Sequence, residues 1–205
     1  MTSHIPLSLR RKIVIALDSD QLLSTGPAEA GGEADMGGWF WCFKTVAWAK
    51  ANIIRAHEDH VFLVTSVETA SRQVVDGTTL TMMWNSMVND VDAHRDRQRE
   101  ADEALRRLAE ALGRLGVSTT AEVAAGAPAE TIPQLVRAHK GELLVVQAPT
   151  RSAIAATLWY SWADRCAHTA ACPTVVVKES DLPDNVAVAL DPPAPAPEQQ
   201  QQQHE

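Results

Sequence analysis

Apolar residues recur along this chain in two rhythms. Four short runs, KIVIAL (12–17), VFLVTSV (61–67), ELLVVQ (142–147) and TVVVK (174–178), are β-branched and almost continuously apolar. Runs that are apolar on both faces predict strands of a parallel sheet covered by helices on each side. A fifth stretch, VSTTAEV (117–123), alternates more and also reads as a strand. Between the strands the period lengthens. WFWCFKTVAWAKANII (39–54) predicts one helix, and a second is expected from about Asn85 to Leu115. The later half of that second helix puts Ala101, Leu105, Leu108, Leu112 and Leu115 on one face, with Arg and Glu opposite. AETIPQLVRAH (129–139) predicts a third helix, bent or begun late at Pro133. A fourth is expected to start at Ser152, a favourable N-cap, and to line up Ile154, Leu158, Trp162 and Cys166.

Strand and helix thus alternate, which predicts an α/β fold with an open, doubly wound five-stranded parallel sheet and helices on both faces. Right-handed crossovers leave few topologies. Strand order 3-2-1-4-5 brings the ends of strands one and four together at the switch point, where such sheets bind ligands. Asp18 ends strand one and Gln147 ends strand four. These residues and the loop Pro149, Thr150, Arg151, Ser152 are therefore expected to face one crevice.

The predicted domain covers residues 11–178, after an extension at 1–10. Two insertions interrupt it. Residues 21–38 hold Gly26, Gly31, Gly32, Gly37 and Gly38, and are expected to be a mobile loop able to cover the crevice. Residues 69–84 form a second long connection. The segment 179–205 is rich in Pro, Gln and acid and is expected to be disordered.

Charge narrows the partners. The net charge is −8, of which five units belong to Asp181, Asp184, Asp191, Glu198 and Glu205, leaving −3 on the rest. No basic stripe with interleaved aromatics suggests nucleic acid, and no apolar run suggests a membrane span. Cys42, Cys166 and Cys172 are odd in number and lack a disulfide-rich spacing. With no secretory leader at the amino terminus, they predict reduced thiols and a cytoplasmic protein. Cys166 falls on an apolar stripe and reads as core.

Candidate chemistry is sparse. HEDH (57–60) packs histidines and acids too closely for all to face one metal, and reads as a solvated turn. Ser161 and His168 lie two helical turns apart, too far for a proton relay. No catalytic or metal-ligating set is expected. Asp18 reads equally as a structural cap and as a ligand group. Trp48 and Trp162 fit core positions, whereas Trp39, Trp41, Trp84 and Trp159 are hard to bury together and suggest a partner surface.

Three segments, IALD (15–18), GAPAETIPQLVRAHKGELLVV (126–146) and ACPTVVVK (171–178), together resemble the universal stress protein family over roughly residues 11–178. The resemblance implies the same 3-2-1-4-5 fold and a homodimer formed through the last strand, Thr174, Val175, Val176, Val177 and Lys178. Nucleotide-binding members carry Gly-x2-Gly-x9-Gly-Ser/Thr after strand four. This chain keeps the spacing but places Gln147, Thr150 and Tyr160 at the glycine positions, followed by Ser161. The resemblance also assigns Asp18 to the neighbourhood of the nucleoside and Val67 to the backbone that meets adenine.

Glycine serves such a loop by permitting positive φ and by leaving room for oxygen to reach backbone N–H groups. A side chain held at positive φ costs about 1–2 kcal/mol. Tyr160 adds bulk beside the helix face that meets the loop. A combined loss of about 3 kcal/mol weakens binding more than about a hundredfold. The sequence therefore favours a non-enzymatic stress-response module, acting by dimerisation and protein-partner binding, with a degenerate ATP-binding cleft and no cofactor. The alternative is an adenine-nucleotide switch that takes ATP or AMP with Mg, with or without slow hydrolysis, through Asp18, Val67, Arg151 and Ser161.

Overall fold

A computed structural model describes residues 5–23, 37–68, 80–147 and 162–178, leaving aside the side chains of 37–41 and 80–90. The strands are β1 (Arg11–Leu17), β2 (Asp59–Val67), β3 (Ser118–Ala125), β4 (Leu143–Gln147) and β5 (Thr174–Val177). They form one sheet in the order β3-β2-β1-β4-β5, with every adjacent pair parallel. The helices are α1 (Ser19–Leu23), α2 (Gly37–Asn52), α3 (Leu80–Arg114), α4 (Pro128–His139) and α5 (Trp162–Thr169).

The period-2 geometry of β1 divides the interior into two layers. Ile13, Ile15 and Leu17 point to one face, where they pack with Val46 of α2 and with Leu105, Leu108 and Leu112 of α3. Val14 and Ala16 point to the other, against Ile132 and Val136 of α4 and Ala163 and Cys166 of α5. Burying one such aliphatic side chain contributes about 1.5–3 kcal/mol, so a strand apolar on both faces is held from both sides.

Several elements differ from the sequence-based expectation. Gln21 to Leu23, placed in the first insertion, belong to α1, and Gly37 and Gly38 begin α2. Residues 80–84, placed in the second connection, begin α3. Helix α4 starts at Pro128 and runs through Pro133, whose ring is buried. The later start inferred from Pro133 was incorrect: Pro128 supplies the favourable N1 proline. Lys140, at φ 55°, closes α4 in the left-handed conformation.

HEDH is not simply a solvated turn. His57 and Glu58 are exposed, but Asp59 is buried at 1% exposure. Its carboxylate accepts from Arg11 Nε at 2.9 Å and Arg11 Nη2 at 2.7 Å, and from the Arg55 amide at 2.7 Å. The pair with Asp59 raises the Arg11 pKa. His57 sits at φ 68°, its ring against Gly116, where an added Cβ would lie 2.7 Å from the imidazole. The segment is a junction tying the entries of β1, β2 and β3. Among the described residues no group of three or more His, Cys, Asp or Glu side chains can hold a metal, and no helix is long and apolar enough to cross a membrane. The segment 179–205, with its expected disorder, lies outside the described residues.

Candidate functional site

The order β2-β1-β4 places the ends of β1 and β4 side by side, and their terminal residues meet there. Asp18 follows β1 directly and caps α1. Its Oδ1 accepts from the backbone N–H groups of Asp20 at 2.9 Å and Gln21 at 3.2 Å, and its carbonyl accepts from Leu22 N–H at 2.9 Å. The sequence Asp-Ser-Asp-Gln is a helix start in which the aspartate side chain satisfies otherwise unpaired amides. The other carboxylate oxygen, Oδ2, accepts from the indole Nε1 of Trp162 at 3.3 Å. Of the two roles open to Asp18, the cap is observed.

Gln147 stands at the switch point on the β4 side. It is the last residue of that strand and is 3% exposed. Its Nε2 donates to Gln21 Oε1 at 2.6 Å, and its Oε1 accepts from the Cys42 thiol at 3.4 Å. Cys42 also lies 3.9 Å from the Asp18 carbonyl oxygen. Burial, and secondarily the Asp18 charge, push the Cys42 pKa far up, and the thiol donates within the network. Gln21, Cys42 and Gln147 thus satisfy one another beneath Asp18. A buried amide with both ends bonded is a stable occupant of such a place, because leaving either end unpaired would cost about 1–3 kcal/mol.

Val67 ends β2 and is fully buried. Its carbonyl accepts from Gly126 N–H at 3.0 Å. Gly126 has φ 126°, and an added Cβ would come within 2.9 Å of Thr131 Oγ1. The Ser66 hydroxyl donates to the Gly126 carbonyl. This glycine fixes the turn from β3 into α4 beside the end of β2.

Asp18 and Gln147 are therefore joined through Gln21 and Cys42, while Val67 stands two strands from β4 in the sheet order. Thr150, Arg151, Tyr160 and Ser161 lie outside the described residues, as does the expected helix start at Ser152. The described part of that helix bears out the apolar stripe. Trp162 packs partly buried on the α4-side core, and Cys166 is fully buried. Burial pushes the Cys166 thiol up to about 12, with Arg165 opposing. Trp48 packs partly buried on the opposite core. The sequence reading missed Gln21, Cys42 and the indole of Trp162. The cap signature at residues 18–21 was a usable signal for the first, but contacts of Cys42 and Trp162 span 105 and 144 residues.

Gln147 does not fit a phosphate cradle of the glycine-lined kind. A glycine there would leave the space that its carboxamide fills, and the backbone would be open to an anion.

A family model described as the universal stress protein family matches residues 42–178. No curated protein matches the sequence. Among solved structures, hypothetical protein MJ0577 is similar with a TM-score of 0.55 at 12% identity, over 83% of this chain and 97% of that one. Hypothetical protein PH0823 is similar with a TM-score of 0.51 at 13% identity, over 82% and 96% of the two chains. A universal stress protein family protein from Arabidopsis thaliana, determined with AMP bound, gives 0.46 at 15% identity over 86% and 99%. The sequence carries the family model across most of the folded core, and the strand order is that of the predicted fold; the chain belongs to the universal stress protein family.

Proposed function

We propose that this chain is a non-enzymatic stress-response module that works by dimerising and binding a protein partner, with a nucleotide crevice closed by its own side chains. The observation that carries this reading is Gln147. Its buried carboxamide is bonded to Gln21 and Cys42 at the end of β4, where a glycine would leave room for phosphate. Asp18 supports it, since both carboxylate oxygens already have donors. Cys42 and Cys166, the two buried thiols, are held protonated, which argues against covalent catalysis through either.

The dimer is proposed through β5, from Thr174 to Lys178. Strand β5 ends the sheet order, and an end strand offers unpaired backbone groups to a second copy. Tryptophans outside the described side chains, Trp39, Trp41, Trp84 and Trp159, supply the chemistry for a partner surface.

A second reading rests on the position of Asp18, which stands at the switch point beside β4. It makes the chain an adenine-nucleotide switch taking ATP or AMP with Mg, in which ligand displaces the indole of Trp162. Calorimetric titration of the full chain with ATP, with and without magnesium, separates the two. The first reading expects no saturable heat up to millimolar nucleotide. Saturable micromolar binding that disappears in Asp18→Ala would establish the second.

A further inference from the structure

The amino ends of the strands, opposite the switch point, carry two cations that the described residues leave without an acid. Arg10 is extended, at φ −75° and ψ 144°, and leads directly into β1. Alternation therefore puts Arg10 and Lys12 on the α4 side of the sheet, the side that Val14 and Ala16 take further along. Arg10 is 6% exposed, and its Nε donates to the Ile5 carbonyl at 2.9 Å. Among the described residues Nη1 and Nη2 of Arg10 donate to no acceptor, and no carboxylate pairs with Arg10 or Lys12. Every described side-chain nitrogen that is shut away from solvent has a partner, so Nη1 and Nη2 reach an opening. A guanidinium this buried is ordinarily paired, because an unpaired charge out of water is costly.

The row beside these cations is polar. Lys12 registers with His60 of β2, and His60 registers with Ser118 of β3. Three side chains thus cross the sheet in one line on the α4 side. His60 Nδ1 is 2.8 Å from the Ser118 hydroxyl, and His60 Nε2 is 3.1 Å from the Thr120 hydroxyl. A neutral imidazole donates through one nitrogen and accepts through the other. One of the two hydroxyls therefore accepts from the ring and keeps its own O–H to give, and an imidazolium would free both. Burial lowers the His60 pKa, and Arg10, Lys12 and His139 add to this in that order, so the charge of both cations falls on this ring. The nearby acids are engaged elsewhere. Glu122 Oε2 is 2.6 Å from His139 Nε2, and Glu142 Oε1 accepts from the Lys12 backbone amide at 3.2 Å.

We propose that Arg10 and Lys12, with a hydroxyl of Ser118 or Thr120, bind a phosphate group at the amino end of β1 beside the His60 ring. The guanidinium offers parallel N–H groups to two oxygens, and the ammonium adds a compact charge. The hydroxyl supplies a further donor. A phosphate accepts from all three and brings the negative charge that Arg10 and Lys12 lack. Glu142, exposed at the rim, opposes that charge and limits the affinity. The site lies at the other end of the sheet from Asp18 and Gln147, so it stands whether or not the crevice there takes a nucleotide.

The test is a titration of the full chain with sodium phosphate at constant ionic strength, balanced with chloride so that screening does not change, followed by backbone amide shifts. The amides of Arg10, Lys12, His60, Ser118 and Thr120 should shift together and saturate with one constant, while those of Asp18 and Gln147 stay in place. Arg10→Gln should weaken binding by about tenfold or more. Lys12→Gln, at a partly exposed position, should weaken it by about threefold or more, and it carries the test if Arg10→Gln does not fold. Free phosphate and a phosphomonoester both uphold the site, and glycerol phosphate tells them apart: tighter binding than inorganic phosphate assigns the ester, weaker binding the free ion. Shifts that never saturate, shifts scattered over the surface, or an affinity unchanged in Lys12→Gln overturn the proposal.

Discussion

Truncating Gln147 to alanine tests the network beneath Asp18 through stability alone. The wild-type carboxamide is 3% exposed. It bonds Gln21 at 2.6 Å and receives the Cys42 thiol at 3.4 Å. The bond to Gln21 is a neutral one, and its loss removes about 1 kcal/mol. The thiol is a weak donor and adds little. Deleting the buried part of the side chain leaves a void that costs about 1–2 kcal/mol more, at the low end of core truncations because polar groups and water can move in. The sum is about 2–3 kcal/mol. For a folded unit of this size that lowers Tm by about 5–10 °C. Thermal unfolding followed by circular dichroism, wild type against Gln147→Ala, measures it directly. A Tm within about 1 °C of wild type, or a higher one, would show that the amide is not a structural occupant of the crevice.

Other consequences are open to simple assays. Restoring glycine at both positions (Gln147→Gly with Thr150→Gly) should raise AMP affinity by about a hundredfold if those side chains are the obstacle; equal binding by fluorescence titration would count against it. Asp59→Asn should destabilise by about 2–3 kcal/mol in urea unfolding, less than for a fully buried pair because the Arg11 side chain is 37% exposed. An unchanged urea midpoint would show that the junction of β1, β2 and β3 does not depend on this charge. Val176→Asp should convert a wild-type dimer to monomer in sedimentation analysis, since a charge on the end strand opposes edge pairing. A variant that stays dimeric would move the interface away from β5.

How far the sequence could be read follows from the range of the interactions involved. β1, β2, β4 and β5 were visible because continuous β-branched runs require cover on both faces, and the pattern is local. The helix stripe of Leu105, Leu108 and Leu112 was visible for the same reason, and all three side chains are buried. Boundaries were lost where a local signal was outvoted. The glycines of 26–38 are a stronger local loop signal than the aspartate cap that starts α1 at Ser19, and Pro133 is a stronger breaker signal than the helix start at Pro128. HEDH was misjudged because the burial of Asp59 depends on Arg11, 48 residues away. At the candidate site, the ends of β1 and β4 were placed together from topology. That Gln147 would turn inward to Gln21, 126 residues earlier, required the folded structure.

The central claim is that the crevice holds the chain's own side chains, and the Gln147 carboxamide reports on it most directly. In a nitrogen-15 spectrum of the full chain, its side-chain NH2 resonances should exchange slowly with water and stay in place when ATP and magnesium are added to millimolar concentration. Rapid solvent exchange in the free protein, or saturable shifts of those resonances together with the Asp18 amide on adding nucleotide, would contradict the account.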